Sequence, residues 1–278
     1  MMIENSLKQK LVAVLFAVLV LGIGTASAKI ITVDDSGGAD FTKIQNAINA
    51  ANESDTIFVY NGTYIEHLLM DKNNLTILGE DRNTTSIDGY GYEGDVVTMK
   101  NANCTINGFT IENSGTSDAG INVDGVYNTI SNNIIKNNYR GIYLKSHNII
   151  KQNIITDNNG DGIRIVSSNK YNYISQNKIL KNGQYGICFG HDSAYNIIMD
   201  NNVSYNEYRN IYLYYSKNNT ISGNIINQGN GGIELFYDCY YNTIINNIIY
   251  NGEIHITSSN HNKLIANTLN HSAIQLER

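Results

Sequence analysis

The chain has 278 residues, of which 42% are hydrophobic and 16% are charged, and its formal net charge at pH 7 is -6. This acidic balance excludes a nucleic-acid backbone as the expected partner, because such binding needs a basic stripe that displaces counterions. Proline and tryptophan are absent, whereas tyrosine occurs 20 times.

The chain opens with a segment typical of a secretory signal peptide. Lys8 and Lys10 precede an apolar run from Leu11 to Ile23, which ends in the small residues Ala26-Ser27-Ala28. This order predicts cleavage after Ala28, and an uncleaved N-terminal anchor is the alternative. The apolar run is shorter than a comfortable membrane span, and no other segment is apolar enough to be one. We therefore expect residues 1–28 to be removed and the mature chain to be secreted or to lie at the cell surface.

A strand and an amphipathic helix are predicted next. The apolar face of this helix comprises Phe41, Ile44, Ala47, Ile48 and Ala51. Asp40 is placed to cap the helix start. Such a helix protects the open apolar end of a coil of strands. The strands that follow are less regular, so residues 29–103 are predicted to form an N-terminal cap and irregular turns.

From Asn128 onwards one short sequence pattern recurs seven times. The copies begin at Asn128, Asn148, Asn172, Asn196, Asn219, Asn242 and Asn262, at intervals of 20, 24, 24, 23, 23 and 20 residues. Each copy has an aliphatic residue two positions after its start, a second asparagine after five and another aliphatic residue after seven. Two more aliphatic residues, such as Ile142 and Leu144, flank one variable residue. A divergent copy begins at Cys104, so regular turns are predicted for residues 104–278.

Each copy contains three short segments of period two, which predicts three strands and no helix. Stacking the copies at a strand spacing of about 4.8 Å gives one all-β domain, a parallel β-helix of about ten turns. The asparagine at the fifth position shares the parity of the inward aliphatic residues, and Phe109 takes its place in the divergent copy. Stacked asparagines can donate to one neighbour and accept from the other. We therefore interpret this column as structural rather than catalytic.

Several segments together resemble a known superfamily. Residues 33–41 read Val-Asp-Asp-Ser-Gly-Gly-Ala-Asp-Phe, residues 44–51 read Ile-Gln-Asn-Ala-Ile-Asn-Ala-Ala, and residues 75–79 read Leu-Thr-Ile-Leu-Gly. This order is similar to the N-terminal part of the pectin-lyase-like right-handed β-helix superfamily, and the Asn-x-Ile-x-x-Asn turns are similar to its NosD-like branch. The resemblance covers nearly the whole mature chain and implies a right-handed coil. It does not imply one activity, because this fold hosts lyases, hydrolases, esterases, epimerases and non-catalytic modules.

One local segment resembles a catalytic motif. Residues 185–192 are loosely similar to the Tyr-Gly-x-Asp-Pro-His segment of alginate epimerases, which makes Tyr185, His191 and Asp192 catalytic candidates. Cys188 and Phe189 stand where the epimerases have Asp-Pro, so the expected acid is missing. The alternative is that these side chains lie on an ordinary corner. Complete pectinesterase and polygalacturonase signatures are not present.

The outward residues of the third strand of each copy form two columns. The first contains Asn122, Tyr143, Arg164, Cys188, Tyr212, Glu234, His255 and Gln275, and the second contains Asp124, Lys145, Val166, Gly190, Tyr214, Phe236, Thr257 and Glu277. Exposed aromatic rings suit stacking on sugars, and their charged neighbours suit hydroxyls or uronate carboxylates. The predicted carbohydrate-binding residues are Tyr143, Arg164, Tyr212, Tyr214, Glu234, Phe236 and His255. Plain cross-strand stabilisation by tyrosine pairs is the alternative. If the site exists, Arg164→Ala is expected to abolish glycan binding without changing the melting temperature.

The sequence predicts no bound metal and no cofactor. NosD-like proteins are associated with copper delivery, yet the six histidines occupy different positions of the pattern without the Met or Cys cluster that copper(I) prefers. No carboxylate motif for Ca²⁺ is visible either. Cys104, Cys188 and Cys239 lack the spacing of a disulfide framework or of a metal site, so they are predicted to be unpaired.

The chain stops inside a third strand, at Gln275-Leu276-Glu277-Arg278. An unprotected last turn predicts end-to-end self-association or an incomplete chain. For function, the sequence predicts a non-catalytic module that binds an extracellular polysaccharide or a cell-surface glycan. The alternatives are a polysaccharide-active lyase, hydrolase or epimerase, and a NosD-like periplasmic copper-accessory protein.

Overall fold

The computed structural model describes residues 28–277 and shows a coil of strands that form three parallel sheets. The predicted signal peptide, except for Ala28, lies outside the described residues. Within residues 28–277 there is no helix with the length and apolarity that a membrane span requires.

Across residues 28–277, the first sheet has eleven strands and the second and third sheets have ten each. The first sheet contains Ile30–Val33, Thr56–Val59, Thr76–Gly79, Thr105–Asn107, Thr129–Ser131, Ile149–Lys151, Tyr173–Ser175, Ile197–Met199, Thr220–Ser222, Thr243–Ile245 and Lys263–Ile265. The second contains Gly62–Ile65, Thr85–Asp88, Thr110–Glu112, Ile134–Lys136, Ile154–Thr156, Lys178–Leu180, Asn202–Asn206, Ile225–Gly229, Ile248–Tyr250 and Thr268–Asn270. The third contains Leu68–Met70, Val97–Met99, Ala119–Val123, Arg140–Leu144, Ile163–Ile165, Ile187–Phe189, Ile211–Tyr214, Ile233–Phe236, Glu253–Thr257 and Ala273–Glu277.

Neighbouring strands of each sheet come from successive turns of the coil. Ile130, for example, pairs with Ile106 of the turn before it and with Ile150 of the turn after it. The period-two strands and the repeat length require this register, because a slip by one residue would turn every aliphatic side chain outward. The predicted parallel β-helix is confirmed, with eleven strands in the first sheet where about ten turns were expected.

Columns of inward aliphatic side chains form one continuous core along the coil. Ile130, Ile150 and Ile174, for example, lie over one another and are fully buried. Burying one such side chain contributes roughly 1.5–3 kcal/mol, so each added turn extends the stabilised column. In the last turn, by contrast, Ile274 is 46% exposed and Leu276 is 72% exposed.

The predicted helix is observed at Ile44–Ala50, and its apolar face packs on the first strands of the coil. Ile44, Ala47 and Ile48 are buried there. The predicted cap by Asp40 is wrong, because that carboxylate instead accepts hydrogen bonds from the backbone and the hydroxyl of Thr32. The first helical amides of Ile44 and Gln45 donate to the carboxylate of Glu66, at 2.8 and 2.9 Å.

The asparagine at the fifth position of each copy points inward and forms the predicted ladder. In this ladder each Nδ2 donates to the Oδ1 of the next asparagine, as Asn153 does to Asn177 at 3.0 Å. The same Oδ1 also accepts from the backbone amide of Asn153. Phe109 occupies the ladder position in the divergent copy, and its amide donates to Asn133. The structural interpretation of this column is confirmed, because every buried polar atom of Asn177 has a partner within the ladder or on the backbone.

Two further asparagine ladders run along the coil. The asparagines that open the copies form one of them, as shown by the bond from the Asn172 side chain to Asn196. The second, which the sequence analysis did not identify, contains Asn138, Asn158, Asn182 and Asn206. It closes the corner between the second and third sheets, just before the strands that carry the candidate site.

Candidate functional site

The outer surface of the third sheet carries all seven predicted carbohydrate-binding residues, and we call this surface the third-sheet face. Tyr143, Arg164 and Cys188 stand on successive strands in one column, which continues through Tyr212, Glu234 and His255. Tyr214 and Phe236 pair in the neighbouring column. The strand register therefore brings together residues that lie far apart in the sequence.

The middle of the third-sheet face is covered by aromatic rings. This aromatic patch comprises Tyr185, Tyr208, Tyr212, Tyr214, Tyr215, Phe236 and Tyr237. The ring of Tyr212 stacks on that of Tyr185 at a centroid distance of 4.6 Å and lies 6.4 Å from that of Tyr214. The rings of Tyr214 and Phe236 stack at 6.2 Å. Burial raises the pKa of Tyr185 and Tyr212, so both phenols stay neutral and present hydroxyl groups rather than charges.

An ion pair between a buried carboxylate and a partly exposed guanidinium lies on one side of the aromatic patch. The side chain of Asp161 is only 2% exposed, and its Oδ2 lies 3.4 Å from Nη1 of Arg164. Burial raises the pKa of Asp161, whereas the Arg164 guanidinium acts in the opposite direction. The same Nη1 lies 2.8 Å from Sγ of Cys188. Cys188 therefore occupies the predicted outward column but is buried beneath Arg164, and burial raises the pKa of its thiol.

A charged cluster lies on the other side of the aromatic patch and comprises Arg209, Glu234, Glu253, His255 and Glu277. Nε of Arg209 lies 3.0 Å from Oε2 of Glu234, and its Nη1 lies 3.3 Å from Oε1 of Glu253. Nδ1 of His255 lies 3.3 Å from Oε1 of Glu234 and Nε2 lies 3.2 Å from Oε1 of Glu277. The His255 side chain is 12% exposed. Its Nδ1 lies near the Glu234 carboxylate but forms no hydrogen bond of good geometry. The cluster thus holds three carboxylates against one guanidinium.

The three catalytic candidates lie at opposite ends of one strand, and both ends contact the aromatic patch. Tyr185 precedes the strand Ile187–Phe189 and belongs to the aromatic patch. His191 and Asp192 follow the same strand at an exposed corner, where Nδ1 of His191 lies 2.7 Å from Oδ2 of Asp192. The His191 ring stacks on Tyr215 at 4.6 Å.

Asp161, Arg209 and Glu253 are the site residues that sequence reasoning missed. The sequence pattern defined only two outward columns. They begin at the residue that stands between the two aliphatic residues of each third strand. A third column runs just before that strand, since the amides of Gly141, Gly162 and Gly186 bond to the turn that follows each of them. The residues preceding these glycines are Arg140, Asp161 and Tyr185, and Arg209 continues the column in the next turn. A polar residue before Gly-Ile was therefore a usable signal for Asp161, whereas Arg209 precedes Asn210 and Glu253 follows Gly252, so neither fits that pattern.

A separate row of rings lies at the corner that leads into the first sheet. The rings of Tyr127, His147, Tyr171 and Tyr195 follow one another at 5.3, 5.0 and 5.2 Å. These residues have positive φ and come immediately before the asparagines that open the copies. Tyr171 and Tyr195 are stacked and the other two pairs are tilted, so the rings pack on one another along the corner.

Cys104, Cys188 and Cys239 are buried free thiols, as predicted. In the part of the chain that the structure describes, no three His, Cys, Asp or Glu side chains are arranged to hold a metal ion.

Comparison with solved structures finds the same coil in proteins with different activities. The A-module of a mannuronan C-5 epimerase from Azotobacter vinelandii has a TM-score of 0.58 at 14% identity, over 84% of this chain and 92% of that one. An alginate lyase from Paenibacillus sp. has a TM-score of 0.58 at 14% identity, over 87% and 99%. The catalytic domain of an α-1,3-glucanase in complex with nigerose has a TM-score of 0.58 at 13% identity, over 93% and 70%. At these identities the likeness shows the fold alone.

Sequence comparison assigns the family. A search of the curated proteins finds no match. The family model described as right handed beta helix region matches residues 25–179 and 119–269, which together span most of the chain. This match confirms the predicted handedness of the coil. The chain therefore belongs to the right-handed β-helix family.

Proposed function

We propose that this protein is a secreted or cell-surface module that binds an extracellular polysaccharide along its third-sheet face without cleaving it. The aromatic patch carries this proposal. Tyr212 and Tyr214 stand on one strand and Phe236 on the next, with ring centroids 6.2 to 6.4 Å apart. A row of rings held by a rigid sheet suits an elongated ligand, because sugar rings stack on aromatic faces with little loss of side-chain freedom.

The charged cluster defines the kind of sugar that fits. Glu234 and Glu253 share Arg209, so the only guanidinium of the cluster is already neutralised. With Glu277 beside His255, negative charge is in excess. Carboxylates accept hydrogen bonds from sugar hydroxyls but repel the carboxylates of uronates. The third-sheet face therefore suits neutral sugar units. Among the fold relatives, the α-1,3-glucanase is named as acting on a neutral polysaccharide.

A glycan array should give a neutral oligosaccharide that binds, and calorimetric titration with this compound should show about tenfold weaker binding by Tyr214→Ala or Phe236→Ala. The reason is that each substitution removes one stacking surface while the strand backbone stays in register.

Tyr127→Ala is the matched control for this experiment. Tyr127 is 58% exposed and belongs to the corner row of rings, after a third-sheet strand that lies four strands from the strand of Tyr214. Its substitution should leave the affinity unchanged. Equal losses in all three variants, or unchanged affinity in Tyr214→Ala and Phe236→Ala, would rule out the aromatic patch as the binding surface.

The charged cluster favours one second candidate function, cleavage of the bound polysaccharide. Glu234 and Glu253 lie close to the same guanidinium and imidazole, and a carboxylate pair beside a histidine can transfer protons in glycosidic bond cleavage. This reading makes Glu234 an acid or a base rather than a hydroxyl acceptor.

The two functions differ in their products. The oligosaccharide that binds is incubated with the protein, and new reducing ends and the absorbance of unsaturated sugars are measured. A binding module gives neither signal. A signal from the wild-type protein that disappears in Glu234→Gln would replace the non-catalytic proposal by the enzymatic one, while the aromatic patch would remain the binding surface.

A further inference from the structure

The imidazole of His67 joins the two ends of an exposed loop. The loop comprises residues 89–95 and connects the second sheet to the third. Nδ1 of His67 lies 2.8 Å from the carbonyl oxygen of Asp95, and Nε2 lies 3.1 Å from that of Gly89. His67 precedes the strand Leu68–Met70, so it belongs to the turn before the loop. A single side chain of that turn thus holds both ends of the loop.

These two contacts define the protonation state that the ring needs. A carbonyl oxygen can only accept a hydrogen bond, whereas a neutral imidazole has one N–H donor and one nitrogen that only accepts. A neutral His67 can therefore satisfy one of the two carbonyl groups, while its other nitrogen turns a lone pair toward the second. Only the imidazolium donates to both, and its hydrogen bonds are also stronger because they are charge-assisted.

The charged groups around the loop act in the same direction. Ionisable side chains come from the loop, from its two flanks and from the next two turns, and they are Glu66, Asp88, Tyr90, Tyr92, Glu93, Asp95, Asp118 and Arg140. Five of them are carboxylates. The one guanidinium, that of Arg140, is turned to the carbonyl of Ser117, which its Nη1 meets at 3.0 Å. An excess of negative charge around the loop favours the charged form of the His67 ring.

Much of the loop is exposed to solvent. Tyr90 and Tyr92 are each 61% exposed, and their rings pack on one another at a centroid distance of 5.3 Å. The amide of Gly94 donates to the Asp118 carboxylate at 2.7 Å. Exposed segments with few buried apolar contacts open locally while the rest of the fold stays intact. Loss of one His67 contact should therefore loosen the loop but leave it attached to the next turn.

We propose that His67 is a pH-dependent clasp for the loop of residues 89–95. The imidazolium holds both ends, and the neutral ring releases the end at Gly89, where the contact is the longer of the two. Histidine is the side chain that ordinarily changes charge between about pH 5 and 8. Because the closed loop favours the proton, the clasp is present at acidic pH and is lost as the pH rises through the ionisation of the ring. This inference does not depend on the proposed function of the third-sheet face.

The proposal is tested by amide hydrogen exchange of the full chain, corrected for the pH dependence of the intrinsic exchange rate. Protection of Tyr90–Gly94 should fall about tenfold between about pH 5 and pH 8, because one charge-assisted hydrogen bond is lost. His67→Gln, which has no proton to lose, should show the weaker protection at both pH values. Nitrogen NMR of the wild-type imidazole should show both ring nitrogens protonated at the acidic pH.

His261→Gln is the matched control, since His261 is an exposed histidine beside the ring of Tyr241, far along the coil. It should keep both the protection of the loop and its dependence on pH. Protection that does not change with pH in the wild-type protein would overturn the proposal. So would a pH dependence that persists in His67→Gln, a loss of protection that is equal along the whole chain, or a singly protonated ring in the protected loop.

Discussion

Replacing Asn177 by alanine should lower the free energy of unfolding by about 3–5 kcal/mol, because it leaves several buried polar groups without partners. Asn177 is 2% exposed. Its Nδ2 donates to the carbonyl of Ile150 at 2.9 Å, and its Oδ1 accepts from the backbone amide of Asn153 at 3.0 Å. Both backbone groups stay buried after the substitution, and the interior of the coil offers them no water. Urea unfolding followed by circular dichroism measures the loss.

Asn159→Ala is the control for the ladder. Asn159 is exposed, and its side chain belongs to none of the ladders, so the substitution should change the free energy of unfolding by less than about 0.5 kcal/mol. A similar small change in Asn177→Ala would show that the ladder does not stabilise the coil. Asn177→Leu separates the two contributions, since it restores apolar volume without restoring any hydrogen bond.

Replacing Arg164 by alanine should destabilise the fold by about 2 kcal/mol near pH 7, because it leaves the Asp161 carboxylate buried without its counter-ion. Loss of a fully buried partner costs about 3–5 kcal/mol. The expected value is smaller here because the Arg164 side chain is 37% exposed and solvent screens part of its charge. This expected loss of stability replaces the unchanged melting temperature that the sequence alone predicted for Arg164→Ala.

The loss should depend on pH with a defined sign. Burial raises the pKa of Asp161 in the folded state, so folding favours the protonated carboxyl. The stability contribution of such a group is present below its unfolded pKa and is lost as the pH rises through its folded pKa. Without Arg164 the pKa rises further, so the variant should approach wild-type stability below about pH 4 and fall behind it as the pH increases.

Thermal unfolding of both proteins between acidic and neutral pH measures this dependence. Adding Asp161→Asn to the Arg164→Ala variant removes the titrating group and should flatten the difference. A loss that is the same at all pH values would show that Arg164 acts through packing on Cys188 rather than through Asp161.

The sequence predicted the coil because its signals are local and repeated. Alternation of aliphatic residues gives each strand an inward face, and equal spacing of the copies stacks Ile130 on Ile150 without reference to any other part of the chain. The fifth-position ladder followed from the same parity. The third ladder was missed because Asn138 lies between Ile135 and the aliphatic pair Ile142 and Leu144, in a corner where Asn137 has positive φ.

The outward residues could be predicted only as far as their columns. The period-two pattern predicts that the Cys188 side chain points away from the core. It does not predict that the Arg164 guanidinium of the previous turn covers this side chain. Side-chain length and the electrostatic pull of Asp161 decide that arrangement. The catalytic candidates show the same limit, since three residues within one octapeptide are distributed to both ends of a strand.

The sequence by itself thus determined the parallel coil, its inward columns and the order of residues along each outward column, because every one of these depends on spacing within one copy. Only the tertiary structure decided which corner residues reach those columns. Arg209 meets Glu234 and Glu253 across turns, and the imidazole of His67 meets both ends of the loop of residues 89–95. These contacts depend on the backbone path at each corner and on the lengths of the side chains. The spacing of residues in the sequence specifies neither.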